Sequence, residues 1–152
     1  MRPAVYYAEV KVNCPLEKAW KILLDYEAWN PTFIGAQVVP VQGPRRAEGE
    51  LVLIEKSLSN TNGEPLPAFY AQTIKMVPRS HIVWYVYPKE GEAFRNFVDF
   101  GLTEARSGVG FNIYYYAQTV TSGDLLIQQR KDSEAMMQTV ALAFKKYCET
   151  CA

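Results

Sequence analysis

The sequence predicts an α+β architecture: one seven-stranded antiparallel sheet curved around a long C-terminal helix, with a short helical segment after the first strand. Three observations carry this. The chain has 152 residues, 49% of them hydrophobic and 21% charged, enough for a self-sufficient core and too few for two full-sized domains, so residues 1–152 read as a single domain. Its periodicities run strand, helix, six strands, helix, and the strand connections are mostly short enough to specify an antiparallel meander. The closing helical pattern covers about 16 residues, or about 24 Å, enough to lie across a sheet.

The elements follow in order. Val5 to Val12 alternates, with Tyr6, Ala8, Val10 and Val12 on one side and Tyr7, Glu9 and Lys11 on the other, the period of a half-buried strand. Asn13-Cys14-Pro15 ends it and opens a helix, proline standing where a missing N–H costs least. Leu16, Ala19, Trp20, Leu23 and Leu24 form its apolar stripe. Asn30-Pro31 cannot continue the helix, which should end between Asp25 and Trp29. Strands are then expected at Gln37–Val41, Leu51–Lys56, Phe69–Val77, His81–Tyr87, Phe94–Glu104 and Phe111–Thr121. Gly101, Gly108 and Gly110 read as a bulge and a hairpin turn. Asp132 or Ser133 can cap a last helix from Glu134 to about Cys148, with Met137, Val140, Ala141, Phe144 and Cys148 on one face.

Composition removes several function classes. Lys plus Arg and Asp plus Glu are both 16, so the formal net charge is zero, and no electrostatic capture of nucleic acid or anionic membrane is expected. No apolar run approaches the roughly 20 residues of a membrane-spanning helix, and the N-terminus lacks a signal-peptide core; a cytoplasmic location is expected. Three cysteines do not describe a disulfide framework. The single histidine, His81, precludes a His-rich metal site, and beside the Pro78-Arg79-Ser80 turn it is expected to meet solvent. Cys148-Glu149-Thr150-Cys151 lacks the further ligands of a zinc site and reads as packed or surface thiols. Nucleotide-binding glycine loops and a serine nucleophile elbow are absent. No cofactor and no metal are expected.

The joints of the chain resemble those of the START/SRPBCC superfamily, which includes pollen-allergen-like proteins and polyketide aromatase/cyclases. Asn13-Cys14-Pro15-Leu16-Glu17-Lys18-Ala19-Trp20 looks like its first-helix opening. Asp25, Trp29 and Pro31 resemble its Asp…Trp-x-Pro signature, and Glu48-Gly49 the glycine before its third strand. Pro78-Arg79 with Ile82-Val83-Trp84 resembles its Pro-Arg…Leu-Val-Trp turn and strand. Gly108-Val109-Gly110-Phe111-Asn112-Ile113 stands where the family has Gly-Gly-Thr-x-Val, with Phe111 replacing a small residue. Ala143-Phe144-Lys145-Lys146 and Glu149 look like its closing helix. The resemblance implies a helix-grip fold with a hydrophobic ligand cavity between sheet and C-terminal helix. It does not imply one activity, because such a fold hosts carriers, sensors and enzymes.

The 20 aromatic residues are the functional candidates. Alternation places Ile82, Trp84 and Val86 inward, and Phe111, Ile113, Tyr115 and Ala117 likewise; Tyr70, Gln72, Ile74 and Met76 are expected inward on their strand, and Asp99 outward. Trp29, Phe33, Gln72, Trp84, Phe111, Met137, Val140 and Phe144 would bind a hydrophobic, ring-containing ligand, polyketide-like or aromatic. Tyr70 and Tyr115 would polarise a carbonyl if the protein is a cyclase, aromatase or related lyase or isomerase. The same rings also suit a core, a non-enzymatic lipid or small-molecule carrier or sensor, or a co-chaperone-like interaction module. A monomer or weak homodimer is expected.

Overall fold

The computed structural model describes residues 4–26, 37–55, 68–90, 95–117 and 124–150, with side chains in the last stretch from Lys131 onward. The elements are β1 (Ala4–Val12), α1 (Leu16–Leu24), β2 (Gln37–Gln42), β3 (Leu51–Glu55), β4 (Phe69–Val77), β5 (His81–Pro88), β6 (Asn96–Ala105), β7 (Gly108–Ala117) and α2 (Asp124–Thr150). The strands form one curved antiparallel sheet in the order β1-β7-β6-β5-β4-β3-β2. The short β5–β6 and β6–β7 registers run without slips, so inward positions line up in rows across the sheet.

Local chemistry sets the corners. Pro15 caps α1 in an extended conformation, its carbonyl accepting from Ala19 N–H at 3.0 Å. Ala19, Trp20 and Leu23 are buried, and each large one contributes about 1.5–3 kcal/mol. The end of α1 is tied to the β2–β3 turn by Asp25, whose carboxylate lies 2.6 Å from the Arg46 guanidinium. Pro78 followed by Arg79 at φ 63° has the pattern of a type II turn, with an arginine in the place glycine usually takes. Gly108, at φ 121°, is required: a Cβ there would meet the Val12 carbonyl at 2.4 Å.

The structure changes three expectations. The last helix begins at Asp124 rather than Glu134, because residues 124–130 contain neither proline nor glycine, and Asp132 and Ser133 sit inside the helix instead of capping it. The last strand starts at Gly108, since Ala105 pairs with Gly108 around a two-residue turn. Gly101 is not a bulge. It is an in-register strand residue, and the Asn112 Oδ1 atom lies 2.2 Å from where its Cβ would be.

The helix α2 runs over β1 and β7 and touches α1; among the described residues it makes no close approach to β3, β4 or β5. Its C-terminal end is fastened to the end of β1, where Lys145 Nζ donates to the Lys11 carbonyl at 2.8 Å and Asn13 N–H donates to Glu149 Oε2 at 2.8 Å.

Candidate functional site

The helix-facing side of the sheet is built in rows. Thr73, Trp84, Val98, Tyr115 and Tyr6 stand opposite one another on β4, β5, β6, β7 and β1, about 19 Å of sheet at the usual strand spacing. Thr73, Trp84 and Tyr6 are sealed from solvent, while Tyr115 is partly buried and packed on the core. The row therefore places hydroxyl and indole groups inside an otherwise apolar wall. Two residues along β6 from Val98, Asn96 is buried at 3% exposure and its Nδ2 donates to the Tyr115 hydroxyl.

Two properties of this row bear on chemistry. Burial pushes the Tyr115 hydroxyl up to about 12, against the opposing pull of the Asn96 hydrogen bond, with Tyr6 adding to the rise. Tyr115 therefore keeps its proton at neutral pH and serves as a hydrogen-bond donor rather than a base. Trp84 is 5% exposed, yet its indole N–H has no acceptor among the described residues. A buried donor without an acceptor costs about 1–3 kcal/mol, so a ligand oxygen at that point would be favoured.

Next to the row, aromatic rings form a continuous path. Tyr26, just after α1, meets Trp84 edge-on at 5.3 Å, and Trp84 meets Phe100 at 5.1 Å. Phe100 stacks on Phe111 at 6.4 Å, and Phe111 packs on Phe144 of α2 at 4.2 Å. At the Phe111–Phe144 end sheet and helix are in direct ring contact, and both rings are fully buried.

The expected site residues divide between the two faces. Trp84, Phe111 and Tyr115 face the helix, and Met137, Val140 and Phe144 lie on the sheet-facing side of α2. Trp29 and Phe33 lie outside the described residues. Tyr70, Gln72 and Ile74 do not face inward: Ala71 and Thr73 are the buried residues of β4, and Tyr70 and Gln72 pair with the outward Tyr87 and Tyr85. Of the four expected inward on β4, Met76 alone packs on the core. The physical reason is a β-bulge between Thr73 and Lys75, which reverses the parity of the strand at Ile74. Sequence size misled here, since the inward positions carry the small residues.

The outer face also carries His81 beside Asp99. Asp99 points outward as expected. His81 is less exposed than a turn residue would be: its Nδ1 lies 3.2 and 3.3 Å from the two Asp99 carboxylate oxygens, and both side chains are about three-quarters covered. Missed by the sequence were Thr73, Tyr6, Tyr26 and Asn96. Tyr6 was placed on the correct side of β1, and pairing with Tyr115 was the missing information.

A curved antiparallel sheet closing one aromatic face over a C-terminal helix is the helix-grip fold of START/SRPBCC-type proteins. Among solved structures the chain is similar to Ara h 8.0201, with a TM-score of 0.74 and 14% identity over 97% of this chain and 98% of that one. It is similar to a START superfamily protein from Mycobacterium smegmatis, with a TM-score of 0.73 and 13% identity over 97% and 99% of the two chains. The di-domain ARO/CYC StfQ of the steffimycin biosynthetic pathway matches with a TM-score of 0.71 and 13% identity over 97% of this chain. The present chain spans 49% of StfQ. No protein-family profile matches the sequence, and no curated protein is similar to it. At these identities the likeness is one of fold.

Proposed function

We propose that this protein binds a hydrophobic, ring-containing small molecule with at least one oxygen acceptor, held between the sheet and α2 against the Thr73–Trp84–Tyr115 row. The observation that carries this is the sequestered Trp84 N–H, which has no acceptor among the described residues. Two others support it. Among the described residues β3 to β5 make no close approach to the helix, and the ring path from Tyr26 to Phe111 offers stacking surface for a planar ligand. The ARO/CYC neighbour makes an oxygenated polycyclic compound a reasonable first probe.

In an enzymatic form Tyr115 would be the group that touches substrate. Its hydroxyl accepts from Asn96, which leaves its own proton to donate to a ligand carbonyl, polarising it for cyclisation or dehydration. Tyr70 stands on the outer face and has no part in this. A non-enzymatic carrier uses the same contacts without turnover.

The test is titration with a polycyclic aromatic ketone, followed by native mass spectrometry and tryptophan fluorescence. Wild type should bind one equivalent, and Trp84→Phe should bind about tenfold more weakly, the worth of one hydrogen bond. Equal affinity of the two proteins would remove the indole contact from the argument. Conversion of the ketone by wild type and its loss in Tyr115→Phe would establish the enzyme; binding without conversion would establish the carrier.

A further inference from the structure

The sequence draws the eye to Cys148 and Cys151 as a CxxC; Cys151 lies outside the described residues, and the fold brings Cys14 to Cys148. Cys14, at the corner between β1 and α1, donates through its thiol to the Pro15 carbonyl at 3.6 Å, and Cys148 of α2 stands within hydrogen-bonding reach of the same sulfur. Both are free thiols, and both are buried, at 6% and 0% exposure. The flanking residues hold the two segments together independently: Asn13 N–H donates to Glu149 Oε2 at 2.8 Å, and Lys145 Nζ to the Lys11 carbonyl at 2.8 Å.

We infer that Cys14 and Cys148 form a redox-modification site, a buried dithiol that a hydroperoxide converts into an intramolecular disulfide fastening the C-terminal end of α2 to the β1–α1 corner. Cys14 is the entry point, because it is the more exposed of the two and adjoins the N-terminus of α1. Burial pushes its thiol up; the hydrogen bond to Cys148, the Lys18 ammonium and the Ala19 N–H act in the opposite direction, while Glu149 adds to the rise. The Cys14 thiolate attacks one peroxide oxygen, the O–O bond breaks, and a sulfenic acid and hydroxide result. The Cys148 thiolate then attacks that sulfur. The S–S bond forms, the hydroxyl leaves and is protonated to water, and the peroxide has taken two electrons from the thiol pair. The product closes nearly the whole chain into one loop, the case in which a cross-link restricts the unfolded state most.

The experiment exposes the full chain to hydrogen peroxide, alkylates the remaining thiols and maps the peptides by mass spectrometry. The expected product is a monomer lighter by two hydrogens, with a Cys14–Cys148 cross-linked peptide that dithiothreitol reverses. Its Tm should rise by roughly 5–15 °C over the reduced protein. Cys151→Ser should give the same product, and Cys14→Ser should give neither the cross-link nor the Tm rise. A Cys148–Cys151 bond, a disulfide-linked dimer, over-oxidised single thiols or unreacted protein would each overturn the inference.

Discussion

The two faces of the sheet are both rich in aromatic residues, and they are held in different ways. On the helix side Trp84, Phe100 and Phe111 are buried and join α1 to α2 through ring contacts. On the outer side the rings pack on one another instead: Tyr70 on Tyr87 at 5.5 Å, Tyr87 on Tyr85 at 5.5 Å, Tyr85 on Phe97 at 5.1 Å, and Tyr7 on Tyr114 at 4.7 Å. There the polar ends reach solvent or exposed partners, as when Arg95 donates to the Tyr85 hydroxyl at 3.0 Å. Aromatic content alone therefore does not mark the site. What marks it is burial, which takes polar atoms out of water and makes each unpaired one costly.

This contrast can be broken by substitution, and the largest effect should come from the covered face. Phe144→Ala removes the ring in contact with Phe111 and should cost about 3–5 kcal/mol in denaturant unfolding. Tyr115→Phe leaves the Asn96 amide without the acceptor it now has and should cost about 1–3 kcal/mol. Tyr116→Ser, on the outer face at 38% exposure, should stay within about 0.5 kcal/mol. A Tyr116 variant as damaging as Phe144→Ala would mean that something covers the outer face as well.

The finest distinction is in titration. Tyr7 and Tyr115 are both raised to about 12, but the first cause for Tyr7 is its hydrogen bond to Glu9, and for Tyr115 it is burial. Glu9→Gln should bring Tyr7 back toward 10 and leave Tyr115 raised, as read from tyrosinate absorbance. Both folded values lie above the ordinary 10.0, so their contribution to stability is complete below pH 10 and is lost as pH rises toward 12. Tyr115→Phe should make alkaline unfolding less steep over that range. An unchanged slope would mean that burial of Tyr115 is relieved before the protein unfolds.

Much of the architecture was legible in residue order. The strict alternation of β1, β5 and β7 separated Trp84, Phe111 and Tyr115 from their outward neighbours, because each of these strands has one continuous apolar side. On β4 the same logic failed. Tyr70, Ile74 and Met76 are the larger residues, and a single bulge at Ile74 decided the parity, which no local pattern announces. The His81–Asp99 contact was equally hidden, because it depends on the β5–β6 register.

The sequence by itself determined the kinds and order of the elements, the short hairpins and the apolar stripe of each helix, since these depend on neighbours a few residues apart. Only the tertiary structure decided that Thr73, Trp84, Tyr115 and Tyr6 share a row, that Asn96 serves Tyr115, and that Cys14 stands beside Cys148. Those relations join residues far apart in the chain, and they exist only once strand register and helix placement bring the two ends together.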